Sequence, residues 1–290
     1  MDGAEDRGRC GSYRQAVIES VRPGTSGPEP TRAVQHVMGT VVSYDLRGGG
    51  DHAGAVAAAR RWFEEVDARF STYREDSEVR RFSRGEVAEP SPDLRAVIAA
   101  CQALARATGG LFDATPADGW FDPSACVKGW SVDRAALLLA EHGVTDFSLN
   151  AGGDVLTRGR PGPGARWRVG IQHPFERGAL ATLVEGTDLA VATSGTYERG
   201  AHLRDPRTGL AATGPASVTV CATDLATADA WSTAAFALGD DAAAWLAAQP
   251  GLEALVITLD GRTVRTAGFP TGSPVPIRAL PAAPPLPGVR

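Results

Sequence analysis

Apolar and polar positions along this chain sort themselves into recognisable periods. Residues 34–46 (VQHVMGTVVSYDL) carry a β-branched run and predict a strand. Residues 52–70 place Val56, Ala59, Phe63, Val66 and Phe70 on one helical face. The polar stretch STYREDSEVRRFSRGE (71–86) predicts a loop. Pro92 stands in the first turn of a second helix, 93–108, which the Gly109–Gly110 pair ends. Gly, Asp and Pro alternate with aromatics over 110–124, which reads as a loop. A third helix follows over 125–142, with Ser124 as N-cap and Gly143 as C-cap.

The second half is β-rich. TDFSLNAGGDVLTRG reads as strand, tight Gly-Gly-Asp turn, strand. ARWRVGIQHP, ATLVEGTDLAVATSG, ASVTVCA and LEALVITLDG continue the pattern, and helices at about 224–238 and 241–249 interrupt it. Strands and helices do not alternate as regular βαβ units, and no internal repeat occurs. The expected class is therefore α+β.

Composition narrows the function. The net charge is −5, and no basic patch with interleaved aromatics occurs, so nucleic acid is not an expected partner. No run reaches the roughly 18 apolar residues of a membrane span, so no membrane insertion is expected. MDGAEDRGRCGSYRQ mixes acids and arginines without the apolar core of a secretory signal. Cys10, Cys101, Cys126 and Cys221 are far apart and form no CxxC, which fits buried thiols in a reducing cytoplasm. The expected organisation is a flexible segment over 1–32, one folded domain over 33–270 and a Pro-rich flexible tail over 271–290.

Four stretches carry candidate chemistry. In FDPSACVKGWSVD (121–133), Lys128 is the only lysine among 29 basic side chains. It lies near a helix N-terminus, where free amides favour an anion and an ammonium adds a compact charge. A solvated lysine with Asp122 as a cap is the alternative. In LNAGGDVLTRG, Gly152 and Gly153 permit a tight turn, and Asp154 either caps it or points at a ligand. ATSGTYERGAHLRDPRTG gathers Ser194, Gly195, Tyr197, His202, Asp205, Thr208 and Gly209 in what reads as a loop between strands. In ATADAWSTAAFALG, Asp229 and Thr233 share one helix face that is otherwise apolar. Buried there, they need partners: each other, or a hard cation such as Mg2+.

Taken in order, these stretches resemble the ApbE family, the FAD:protein FMN transferases. The resemblance runs through MGTVVSYDL, FSTYREDSEVRRF, GGLFDATPA, FDPSACVKGWSVDRA, NAGGDV, ATSGTYER, HLRDPRTG, SVTV and DAWSTAAFALG, over roughly 36–268. It implies a mixed β-sheet core with packed helices, in two lobes that hold an FAD and Mg2+ site between them. It also implies cleavage of FAD, transfer of its FMN half to a Thr or Ser hydroxyl of an acceptor flavoprotein, and release of AMP. By motif, Met38, Tyr73, Asp113, Asp122, Lys128 and Leu203 would contact FAD. Ala125, through its carbonyl, Asp229 and Thr233 would hold Mg2+. His202 and Lys128 would be catalytic. A Mg2+-dependent FAD diphosphatase and a non-catalytic FAD-binding protein are the alternatives. The chain departs from the family pattern in leaving only eight residues between Asp113 and Asp122, and in having Thr196 in SGTYER where Asp or Asn is usual.

Overall fold

A computed structural model describes residues 29–115, 119–196 and 205–272. Its centre is an eight-stranded sheet ordered β1-β2-β3-β4-β7-β8-β9-β10. The strands are β1 (Thr31–Val37), β2 (Thr40–Arg47), β3 (Asp146–Ala151), β4 (Asp154–Arg158), β7 (Leu189–Gly195), β8 (Ser217–Ala222), β9 (Glu253–Ile257) and β10 (Thr263–Arg265). β5 (Trp167–Gln172) and β6 (Leu180–Gly186) form a separate two-stranded sheet. The α+β class holds. The paired strands are antiparallel throughout, where a mixed sheet was expected.

The stretch 34–46 is a hairpin and not one strand. Met38 (φ 53°) and Gly39 (φ 65°) form its two-residue turn, and Met38 is the one described non-glycine residue with positive φ. Two successive left-handed residues match the right-handed twist of the flanking strands, which is why such turns close hairpins. β1 begins two residues inside the segment expected to be flexible. At the other end, Thr271 bridges Val184 and the Gly272 amide donates to the Leu183 carbonyl, tying that stretch to β6.

The helices are α1 (His52–Phe70), α2 (Glu78–Ser83), α3 (Pro92–Ala107), α4 (Ser124–Glu141), α5 (Leu225–Phe236) and α6 (Ala242–Ala247), the last preceded by a 3-10 turn over Gly239–Asp241. α2 interrupts the expected 71–86 loop because Ser77 caps it, accepting from the Arg80 amide, and Val79 is buried. α4 starts at Ser124, so Ser124 is not the N-cap. Pro123 takes that place without a side-chain bond, and Asp122 Oδ1 accepts from the Ser124 amide at 2.9 Å. Gly143 (φ 76°) follows the α4 C-cap in the left-handed conformation expected of it.

One face of the large sheet packs against α1, α4, α5 and α6 through Leu46, Leu149, Leu156 and Val218. Its other face covers β5 and β6 through Val155, Val191 and Leu255. A third cluster joins the end of α1 to α2, α3 and the first turns of α4, and includes Phe70, Leu94, Cys126 and Ala230. Cys101, Cys126 and Cys221 are buried and free. No helix among the described residues is long and apolar enough to cross a membrane.

α4 and α5 meet at backbone distance. A Cβ on Gly129 would lie 2.6 Å from the Ala226 Cα and from the Leu225 carbonyl oxygen. Asp133, one turn further along α4, accepts at 2.8 Å from the amides of both Leu225 and Ala226 with its two oxygens. Those amides belong to the first turn of α5, which has no partners of its own there. Burial raises the Asp133 pKa to about 6, against the lowering by these two amides. Gly129→Ala should therefore force the helices apart and cost about 1–3 kcal/mol of stability, read as a lower urea midpoint.

Candidate functional site

Several turns and termini gather at one end of the large sheet. The Gly152–Gly153 turn between β3 and β4 lies against the β1–β2 hairpin. The Gly152 amide donates to the Val41 carbonyl at 3.0 Å, and a Cβ at Gly152 would stand 2.5 Å from Thr40 Oγ1. Directly after this turn comes Asp154. Side chains alternate along a strand, so Asp154 shares the helix-facing side of β4 with the core residue Leu156. By the same alternation Ser194 shares that side of β7 with Ala190 and Ala192.

α4 brings Lys128 to the same place. Lys128 lies in register with the buried residues Val132, Ala135 and Leu139, which form the sheet-facing stripe of the helix. It is thus directed at the sheet and not into solvent, and its side chain is 33% exposed. Its ammonium stands 2.5 Å from Asp154 Oδ2 and 3.4 Å from Asp229 Oδ1. Both carboxylates are buried. Asp154 is held from behind by the Thr193 amide, which donates to Oδ1 at 3.1 Å. Burial, with the neighbouring Asp154 charge, raises the Asp229 pKa to about 7, against the lowering by the Lys128 ammonium and the Gly129 amide. With both carboxylates ionised, the trio carries one negative charge.

A set of hydroxyls on β7 and α5 stands close to Asp229. Ser194 Oγ is 3.0 Å from Ser232 Oγ and 3.4 Å from Thr233 Oγ1. Ser232 Oγ donates to the Asp229 carbonyl at 2.9 Å, which ties the α5 turn under the carboxylate. Asp229 Oδ2 is buried and makes no hydrogen bond.

That unpartnered oxygen is the observation on which a cation fits. Thr233 is one turn along α5 and offers a hydroxyl. Ala125 is one turn before Gly129 on α4, and the Gly129 amide that serves Asp229 is the one its carbonyl would engage in a regular helix. One carboxylate, one hydroxyl and one carbonyl are oxygen donors of the kind Mg2+ takes, and they leave coordination positions for water and phosphate. Among the described residues, no group of three or more His, Cys, Asp or Glu side chains is arranged to hold a metal. A set with a single carboxylate is of a different kind.

The other expected site residues are placed as follows. Met38 packs against the first and third clusters from its hairpin turn, with Ala125 on the rim of the latter. Tyr73 is 90% exposed after α1. Asp113 is exposed, and its Oδ1 accepts from the Thr115 amide at 2.7 Å. Asp122 is exposed, and its Oδ1 accepts from the Ser124 amide at 2.9 Å. His202 and Leu203 lie outside the described residues. Sequence reading did not foresee that Asp154 pairs with Lys128, or that Asp133 caps α5. It also passed over Ser232. A lysine on an apolar helical stripe signals a nearby anion, but not which residue supplies it.

Comparison with known proteins identifies the family. A family model described as the ApbE family matches residues 38–120 and 116–256. The chain is 32% identical over 159 residues to a FAD:protein FMN transferase of Klebsiella pneumoniae, covering 51% of this chain and 45% of that protein. It is 27% identical over 241 residues to one of Vibrio cholerae, covering 62% and 72%. The chain thus spans about half the length of the first of these relatives. The crystallised flavin transferase ApbE from Vibrio cholerae superposes with a TM-score of 0.74 at 25% identity, over 83% of this chain and 98% of that one. The ApbE protein from Thermotoga maritima superposes with a TM-score of 0.74 at 24% identity, over 83% and 98%. Both matched segments of the family model contain parts of the site, the hairpin at Met38 in one and Lys128, Asp154 and Asp229 in the other, and the chain belongs to the ApbE family.

Proposed function

We propose that this protein transfers the FMN half of FAD to a Ser or Thr hydroxyl of an acceptor protein and releases AMP, with Mg2+ as cofactor. The observation that carries the reading is the pairing of Lys128 with the buried carboxylates of Asp154 and Asp229, beside the Asp229 oxygen that makes no hydrogen bond. The names of the curated relatives support flavin transfer to protein as the reaction type.

The chemistry asks for few covalent contributions from the protein. The bond between the FMN phosphorus and the bridging oxygen of the pyrophosphate breaks. A new bond forms from that phosphorus to the acceptor oxygen. AMP departs with the bridging oxygen, and the hydroxyl proton needs an acceptor. Phosphoryl transfer of this kind depends mainly on positioning and charge neutralisation. Lys128, in the second turn of α4, supplies a compact positive charge to the phosphates. His202 is the proposed proton acceptor, since a neutral imidazole is the side chain suited to take a proton and pass it on. Met38, Tyr73, Asp113, Asp122 and Leu203 are the proposed FAD contacts. Ala125, Asp229 and Thr233 would hold Mg2+, which neutralises phosphate oxygens when bound.

The reading predicts an FMN mass increment on an acceptor incubated with the protein, FAD and Mg2+, together with AMP. AMP and free FMN without a labelled acceptor would identify a diphosphatase instead. Flavin absorbance without turnover would identify a binding protein. Lys128→Arg should lose most of the activity, by roughly ten-fold or more, while circular dichroism stays as in the unaltered protein. A guanidinium is wider and flatter than the ammonium it replaces between two carboxylates. Activity equal to the unaltered protein would remove Lys128 from the machinery. Asp229→Asn should abolish the dependence of activity on added Mg2+ together with the activity itself.

A further inference from the structure

We infer that Asp154 is a positioning residue that holds the Lys128 ammonium in the site, so that Asp229 is left free for a divalent cation. The inference rests on the cation site proposed above and assigns a role to a residue outside it. The geometry is asymmetric: the ammonium is 2.5 Å from Asp154 and 3.4 Å from Asp229. Asp154 is also fixed from the sheet side. It opens β4 directly after a two-glycine turn, and the Thr193 amide holds its second oxygen. Asp229 keeps one oxygen on the lysine side and one buried oxygen without a hydrogen bond.

Charge counting gives the consequence. With Asp154 ionised, the ammonium stands nearer Asp154 than Asp229, and the trio presents one net negative charge to an incoming divalent cation. Without the Asp154 charge, the Lys128 ammonium still stands beside Asp229 Oδ1, at 3.4 Å. The ammonium then competes with the cation for the same carboxylate at close range and within low-dielectric surroundings. Asp154 therefore acts on the cation through Lys128 and does not ligate it. The fixed anchor also sets where the ammonium stands when a phosphate arrives.

The test is Mn2+ binding to the full chain without flavin, measured by electron paramagnetic resonance on four proteins: unaltered, Asp154→Asn, Lys128→Met and the double variant. Asparagine keeps the oxygen that accepts from Thr193, so the hairpin stays capped; the melting temperature checks this. Asp154→Asn is expected to weaken Mn2+ binding by ten-fold or more. In the Lys128→Met background the same change should cost no more than about two- to three-fold. An equal loss in both backgrounds would make Asp154 a direct ligand and overturn the inference, as would Mn2+ binding that Asp154→Asn leaves unchanged. Lys128 is the only lysine, so a chain labelled with 15Nζ-lysine gives one side-chain ammonium signal with no assignment needed. That signal should move on Asp154→Asn before any metal is added, and an unmoved signal overturns the anchoring. Absence of Mn2+ binding by the unaltered protein, with the lysine signal still moved by Asp154→Asn, would sink the metal assignment and the cation half of the inference, leaving the anchor standing.

Discussion

An ammonium shared between two buried carboxylates is the constraint around which this end of the molecule is arranged. Neither carboxylate is tolerable there alone, because taking an ion out of water costs several kcal/mol that only a well-placed partner repays. The partner arrives from a helix, one carboxylate from a strand and the other from a second helix. Sheet, α4 and α5 must therefore keep their relative positions. The glycine at the helix crossing and the aspartate that caps α5 do this work at the backbone level. Ser232 does it inside α5 by bonding the Asp229 carbonyl.

The architecture explains why so polar a group stands beside an extensive core. The strands present apolar side chains to the helices until their ends, where Asp154 and Ser194 replace them in the same alternation. α4 behaves alike, with Lys128 at the head of a stripe that is otherwise apolar. The polar site is thus the continuation of the core layer past its apolar limit. Its three-dimensional frame is inherited from core packing.

Much of this was legible in the sequence, and the failures have physical causes. α1 has a strong single-face pattern, and its expected ends match the observed ones. The motif order gave the family, and the family model agrees. The hairpin at Met38–Gly39 was hidden because a methionine in the left-handed region has no sequence signature, and the flanking residues are β-formers on both sides. α2 was hidden by its charged surface: only Val79 is buried in it, so no period emerges. The Lys128–Asp154 pair was hidden because its members are 26 positions apart on elements of different kinds, and local pattern carries no register between a helix and a strand. The residues joined within one element, Asp229 and Thr233, were the ones that reading by period could place together.

The capping of α5 by Asp133 has a kinetic meaning. That contact joins residues 92 and 93 positions apart. The β1–β2 and β3–β4 hairpins close over two-residue turns, and such pairings form early because their loops are short. The α4–α5 junction instead waits until the chain between, with β3 to β8, has found its course. The carboxylate and the ammonium it brings together meet only at that late closure. On the way out, fluctuations that part the two helices dismantle the ion cluster while the early hairpins still stand. Amides of the first turn of α5 should thus belong to a less protected set than those of the central strands, and loss of the site precedes loss of the fold.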